Sequence, residues 1–278
     1  MQQRHATSPE QLLGATSQEV RDRFLVADLF VPGEVRLTGT EHDRVVVGGA
    51  VPVGEPLALP APAELRAAFF LERRELGVVN VGGPGVVTVD GDVYDLAHGA
   101  CLYVGRGARE VLFAGGSGDG AEPPAFYLFS APAHVTCPTV LTPPGGGTVL
   151  ELGDPLTSNR RSLHQIVHEG GVRSCQIVLG VTRLHPGSMW NTMPAHTHAR
   201  RTECYLYFDV PDDARVLHLC GEPRETRHLV VGDREAVIAP GWSVHSGVGT
   251  AAYAFVWAMA GENQAFDDMD GFPVASLR

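Results

Sequence analysis

The 278-residue sequence contains no lysine, and all 21 of its basic residues are arginine. Schiff-base chemistry, a lysine-bound pyridoxal phosphate and a Walker A phosphate loop are therefore excluded, since each needs that primary amine. An anionic substrate has to be recognised through arginine, whose planar guanidinium can grip a carboxylate with two parallel hydrogen bonds. Cysteine is sparse: Cys101, Cys137, Cys175, Cys204 and Cys220 are odd in number, scattered, and never spaced C-x-x-C. Free thiols in a reducing compartment are the expectation. No apolar run approaches the roughly 20 residues that span a bilayer. Residues 1–14 lack the apolar stretch of a signal peptide. The formal net charge is −11, with no basic tail or stripe to neutralise phosphates. These absences predict a cytoplasmic protein without a nucleic-acid or membrane partner.

What is abundant is glycine and proline, 33 and 20 residues, beside 44% hydrophobic content. That composition favours many short strands joined by tight turns. Thr16-x-x-Glu19 reads as a capping box opening one short helix that runs to about Leu25. Val86 to Tyr94 carries a hairpin signal, with Asp90-Gly91 supplying the positive φ angles of a type I′ turn. Thr142-Pro143-Pro144-Gly145-Gly146-Gly147 cannot sit inside a sheet and reads as a linker. Strand patterns resume beyond it, through Cys204 to Phe208, His228 to Val231 and Tyr253 to Trp257. A Gly82-Gly83-x-Gly85 cluster precedes a strand rather than a helix, so it reads as a turn and not a dinucleotide fingerprint. Two stretches, Val93 to Arg109 and Leu229 to His245, share one shape of strand, turn, apolar triplet and glycine turn. Aligned on Gly105 and Gly241, they set Arg109 opposite His245. In the same way Phe69 to Arg74 matches His196 to Arg201, with apolar residues where the histidines stand. The expected organisation is an all-β duplication, residues 1–140 without metal ligands and residues 141–278 with them.

The ligands expected are His196, His198, Glu203 and His245. Residues 196 and 198 leave one face of an extended strand. Glu203 lies at an odd spacing from them, which a bend in residues 199–202 would correct. His245 follows a Pro240-Gly241 turn that can aim it back towards the others. A single H-x-H has little weight in a chain with 12 histidines, but the four together form a metal-ligand set. Three imidazoles and a carboxylate suit zinc, and also manganese, iron or nickel. The same set would serve a sugar-acid isomerase, an iron dioxygenase, or a sugar-binding protein with a structural metal. For moving a proton, Glu203, Tyr205, Tyr207 and His228 are the candidates by position. For holding a substrate carboxylate, they are Arg160, Arg161, Arg200, Arg201 and Arg227.

At the four ligands the chain resembles the cupin superfamily, departing from its usual motif at Gly187 and Gly249. Longer segments resemble the 5-keto-4-deoxyuronate isomerases more closely. These are Phe70 to Gly77, Leu156 to Arg161, Trp190 to Pro194, Ser243 to Gly249 and Gly261 to Asp270. That resemblance implies two tandem cupin jelly-roll barrels with a few short helices. It implies one zinc ion per subunit on His196, His198, Glu203 and His245, and a homohexamer. The implied activity is an aldose–ketose isomerisation of a 4-deoxy-5-keto hexuronate in the breakdown of pectin or glycosaminoglycans.

Overall fold

The structure is a computed structural model that describes residues 1–116 and 122–278. Its one α-helix, α1, is Ser17–Phe24, and the capping box forms as expected: Thr16 and Glu19 each satisfy the other's backbone N–H. Among the described residues no helix is long and apolar enough to cross a membrane. Apart from five 3-10 turns of three or four residues, the rest of the described residues is strand and loop, so the fold is all-β.

Residues up to 142 supply β1 (Gln2–Arg4), β2 (Leu25–Val26), β3 (Val35–Thr40), β4 (Val46–Ala50), β5 (Leu57–Ala58) and β6 (Arg74–Asn80). They continue with β7 (Gly85–Val89), β8 (Asp92–Leu96), β9 (Cys101–Val104), β10 (Val111–Gly115), β11 (Phe126–Pro132) and β12 (Val140–Thr142). Beyond the Pro-Gly linker come β13 (Thr148–Leu152), β14 (Arg161–Val167), β15 (Val178–Leu184), β16 (Trp190–Asn191), β17 (His196–Thr197) and β18 (Arg201–Phe208). The last are β19 (Val216–Glu222), β20 (Glu225–Val231), β21 (Ala236–Ala239), β22 (Ser246–Gly249), β23 (Ala254–Gly261) and β24 (Asp270–Gly271).

The sheets repeat one plan twice. The first half builds a large sheet β1-β3-β4-β11-β6-β9-β12 and a small one β5-β10-β7-β8. The second half builds β13-β14-β15-β23-β18-β21-β2 and β16-β22-β19-β20. Taken in chain order, β3 to β11 map one-to-one on β14 to β23 once β17 is set aside. The register is displaced by one residue: Leu76 pairs with Val104 in the first half, whereas Glu203 pairs with Ala239 and not with Pro240 in the second. The repeat suggested by Gly105 and Gly241 is therefore present in the topology. Where the second half has the expected ligands, the first has Phe69, Leu71, Leu76 and Arg109. There Leu71 and Leu76 are buried, and the Arg109 guanidinium lies 5.2 Å over the Phe69 ring.

The Asp90-Gly91 turn has the predicted positive φ angles, 48° and 93°, and closes the β7–β8 hairpin. One feature of the chain path has no local signal. The α1–β2 segment crosses to the second half, where β2 pairs with β21 and Val20, Phe24 and Leu25 join its core. The two large sheets bury a shared core between them, with Val79, Tyr127 and Phe129 from the first half and Leu179, Cys204 and Leu206 from the second. Along β18, Cys204 and Leu206 face that shared core, while Tyr205 and Tyr207 join the separate core of the second half.

Candidate metal centre

His196 lies on β17, which is held in place by antiparallel pairing with β24. The chain then turns tightly. His198 N–H donates to the Gly241 carbonyl at 3.0 Å, and Arg201 N–H donates to the His198 carbonyl at 3.1 Å. This turn is the bend needed in residues 199–202, and it starts β18 in the register that aims Glu203 at the histidines. A second turn, Ser243 N–H to the Pro240 carbonyl at 2.8 Å, delivers His245 from the far side.

The four side chains meet at one point, with one ligand atom from each within 4.8 Å of all the others. His196 Nε2 stands 3.2 Å from His198 Nε2 and 3.0 Å from His245 Nε2. Glu203 Oε2 lies 2.8 Å from His198 Nε2 and 3.0 Å from His245 Nε2. Ligand atoms bound at roughly 2.0–2.1 Å to one ion stand about 3 Å apart, so the spacing suits a metal. The outer face of the cluster fits as well. His198 Nδ1 lies 2.7 Å from the Asp268 carbonyl, and His245 Nδ1 lies 3.4 Å from the Ser243 carbonyl. A carbonyl accepts only from N–H, which fixes the proton on Nδ1 and leaves the inward Nε2 as a lone pair.

Electrostatics favour the ligand-competent forms. Burial, and after it the charge of His245, pushes His196 down to about 3, so its ring is neutral. Burial alone would raise Glu203. The neighbouring imidazoles of His245 and His198, which attract the ionised carboxylate whenever they carry a second proton, outweigh it and hold the carboxyl well below its usual range. Three imidazoles and one carboxylate, 1–5% exposed apart from the half-buried His196, suit a cation by the chemistry of the donors.

Three of the four residues, His196, His198 and Glu203, line a cavity of about 320 Å³. Trp257, Phe255, Met259 and Phe266 make much of its wall, and Arg161 is the one arginine lining it among the described residues. Arg161 lies on β14, separated from β18 by β15 and β23. Its Nη1 donates to the Asn159 carbonyl at 2.8 Å, while its buried Nε has no protein partner. Tyr205 also lines the cavity, with its hydroxyl 3.2 Å from Thr192 Oγ1. Burial, then the charge of Glu203, raises the Tyr205 phenol well above its ordinary value.

Other residues singled out by sequence fall elsewhere. Tyr207 is buried behind Tyr205 and its hydroxyl is 2.7 Å from His218 Nδ1, so it does not line the cavity. His228 is exposed on β20, because its side chain alternates with the buried Leu229 and points to solvent. Arg160 is exposed and outside the cavity lining. Arg227 pairs with Glu225 and donates to the Leu12 carbonyl. Arg200 is a partner of Asp268. Arg201 is fully buried, and it donates to the Ala265 and Asp268 carbonyls. His218 is fully buried outside the cavity lining, and its alternation with Val216 and Cys220 on β19 is the pattern that marks it as inward-facing. Sequence reasoning missed Phe255, Trp257 and Met259 as cavity wall, although their period of two along β23 was visible.

Fold and site together define a class: an all-β protein with a duplicated sheet plan and a three-histidine, one-carboxylate cluster of metal-ligand type beside an apolar cavity. The sequence matches the KduI/IolB family over residues 34–271, and the chain belongs to that family. It is 65% identical to the 4-deoxy-L-threo-5-hexosulose-uronate ketol-isomerase of Kineococcus radiotolerans over 279 residues, covering 100% of both chains. Proteins of the same name from Halalkalibacterium halodurans and Escherichia coli are 51% and 49% identical, covering 100% and 94% of both chains. Among solved structures, an IolB-like protein from Salmonella typhimurium superposes with a TM-score of 0.70 at 17% identity, over 90% of this chain and 96% of that one. Hazelnut vicilin superposes at 0.51 with 10% identity, over 90% and 88%. These two similarities concern the fold alone.

Proposed function

We propose that this protein is a metal-dependent ketol-isomerase of uronate catabolism. Its substrate is 4-deoxy-L-threo-5-hexosulose uronate, also written 5-dehydro-4-deoxy-D-glucuronate, and its product is 3-deoxy-D-glycero-2,5-hexodiulosonate. The observation that carries this reading is a cavity lined by three residues of the metal-ligand cluster and, from a separate strand, by Arg161. The relatives named as this isomerase point to the same reaction. Zinc is the proposed ion, on His196, His198, Glu203 and His245, and the proposed setting is a cytoplasmic homohexamer. The repeated strand order supports describing the two halves as tandem cupin barrels, divided at the linker near residue 141.

The substrate has three distinct parts: an aldehyde with its neighbouring hydroxyl, a deoxygenated carbon, and a carboxylate. Each has a counterpart in the cavity. Arg161 offers an unused buried N–H to the carboxylate. The side chains of Trp257, Phe255 and Met259 on β23 face the carbon that lacks a hydroxyl. The aldehyde end belongs at the cluster, where a bound metal supplies Lewis-acid polarisation of the two oxygens.

The chain's own groups then divide the proton work. Tyr205, kept neutral at physiological pH, donates a hydrogen bond to a substrate oxygen and is not a resting base. Glu203 is ionised and is the one carboxylate lining the cavity among the described residues. It accepts the proton from the hydroxyl-bearing carbon as the enediol forms and returns it to the former aldehyde carbon, while the proton of the neighbouring hydroxyl passes to the former aldehyde oxygen. The aldehyde becomes a primary alcohol and the neighbouring hydroxyl a ketone, so electrons are redistributed within the substrate and no hydride donor is required.

The test is removal and return of the ion. Chelation is expected to abolish isomerisation, and one equivalent of metal per chain to restore it. His198→Ala is expected to lose metal and activity together while keeping the β-rich circular dichroism. Full turnover in verified metal-free protein would sink the proposal.

A further inference from the structure

The half without ligands holds a buried carboxylate that the chemistry above does not use. Glu75 on β6 is fully buried, and it reaches across to the other half of the molecule. Its Oε1 accepts the backbone N–H groups of Gln176 and Ile177 at 2.6 and 2.8 Å. Its Oε2 accepts the Cys175 N–H at 2.7 Å and the Tyr103 hydroxyl at 2.5 Å. Residues 175–177 would otherwise be a loop entering β15 with three unmet donors, and a single carboxylate satisfies all three.

That loop is the anchor of a second segment. Gln264 Nε2 donates to the Ile177 carbonyl at 3.1 Å and to Ser174 Oγ at 2.5 Å. Gln264 opens a strap that runs over the cavity. Phe266 and Met269 of this strap line the cavity, and the Phe266 ring packs 5.8 Å from that of Trp257. The Asp268 carbonyl is the acceptor that orients His198. Strand β24 follows and pairs with the strand bearing His196. Hydrogen bonds thus run from Glu75 through residues 174–177 to Gln264, the backbone of residues 264–271 continues the path, and the Asp268 carbonyl and β24 contact two of the histidines of the cluster.

We infer that Glu75 is a positioning residue for the metal centre: the half that has lost its ligands holds the strap of the other half in the geometry that orients His198 and closes the cavity. The inference rests on the metal-site reading for its functional meaning. The positioning itself is read from the strap and can be tested without metal.

The comparison uses wild-type protein, Glu75→Gln, Gln264→Ala and the double variant. Glutamine keeps the size of Glu75 but puts an NH2 group against backbone donors, so the loop must move. Amide hydrogen exchange on metal-free protein is expected to speed up in residues 174–177 and 263–269 of Glu75→Gln. On zinc-loaded protein, release to a chromogenic chelator is expected to quicken roughly tenfold or more, the scale found when partners outside the ligand shell are removed. KM is expected to rise more than kcat falls, because Phe266 and Met269 are walls. The double variant should release zinc no faster than the worse single variant, since both cut one path. Asp209→Asn, which weakens another contact between the halves away from the strap, should leave zinc release unchanged. Unchanged exchange at 263–269 in Glu75→Gln would overturn the inference, as would additive effects or equal loss in Asp209→Asn. Should Glu75→Gln fail to fold, Gln264→Ala alone carries the test, and normal exchange and zinc release in it would equally overturn the inference. A wild-type protein that binds no zinc would count against the function proposed above, while the exchange result would still decide the positioning.

Discussion

Arg161 and Arg201 show how differently the same side chain is used a short distance apart. Arg201 is fully buried outside the cavity lining: its two Nη atoms donate to the Ala265 and Asp268 carbonyls, and its Nε, like that of Arg161, has no protein partner. Arg161 keeps a buried N–H free of protein partners while lining the cavity. An unmatched buried donor costs on the order of 1–3 kcal/mol, which a bound carboxylate would offset. Arg161→Met is therefore expected to raise KM for the sugar acid by roughly ten- to hundredfold, equivalent to about 1.4–2.7 kcal/mol. Steady-state kinetics with the acid and with a neutral analogue would check this, and an equal rise for both would dismiss the carboxylate contact. The convergence of the four cluster residues was legible in the sequence, because H-x-H, a glutamate before a strand and a histidine after a Pro-Gly turn each have a backbone reason to converge. Choosing among five arginines was not, because an arginine reaches far from its backbone and its partners, such as Asp268, lie elsewhere in the chain.

At the scale of elements, β23 is the floor of the cavity, and one neighbour allows it to be flat. A Cβ on Gly180 of β15 would stand 2.2 Å from Trp257 Cζ2 and from the His164 carbonyl. Both contacts are far inside van der Waals distance, so Gly180→Ala has to displace the indole, which bonds Thr182 Oγ1 at 3.1 Å. The expected outcome is a protein destabilised by about 1–3 kcal/mol, as overpacking generally does. Its Trp fluorescence should be altered and its KM raised; wild-type values for both would show that the floor has room to spare. Most strands could be placed from alternation and turn residues, and the α1 capping box fixed the helix start. The crossing of α1 and β2 to the second half had no such signal. Val20 and Phe24 mark an apolar face, but which sheet they cover is decided by packing in three dimensions.

The whole molecule is two copies of one sheet plan pressed together, and the contacts between copies are partly ionic. Asp209 of the second half meets His98 of the first at 3.2 Å and Arg183 of its own half at 2.5 Å. The Asp209 hydrogen bond raises His98 against the opposing effect of burial. Burial would raise Asp209, but hydrogen bonds from His98 and Arg183 lower it. The raised His98 stabilises fully below its unfolded value near 6.5 and loses that contribution as pH rises through the folded value. The lowered Asp209 contributes fully above its unfolded value near 3.9 and loses it as pH falls through the folded value. The two windows overlap between about pH 4 and 6.5. Both groups are more than a third exposed, so screening limits the effect to at most about 1 kcal/mol. Urea midpoints of wild type and Asp209→Asn at matched metal content should differ most inside that window and less at pH 8. A difference independent of pH would remove His98 from the account. The duplication itself was visible in the sequence only as a shared shape between two short stretches, since the copies differ in the residues that matter. Phe69, Leu71, Leu76 and Arg109 occupy the places where the second copy has a metal-ligand set.

The central claim is that this cavity interconverts an aldose and a ketose at a metal held by His196, His198, Glu203 and His245. A proton NMR time course with zinc-loaded protein and 4-deoxy-L-threo-5-hexosulose uronate, with no nicotinamide or other cofactor added, tests it most directly. The account predicts loss of the aldehyde signals and growth of the primary-alcohol signals of the diulosonate, at a rate that vanishes in His245→Ala. An unchanged spectrum, with one zinc per chain verified in the same sample, would contradict it.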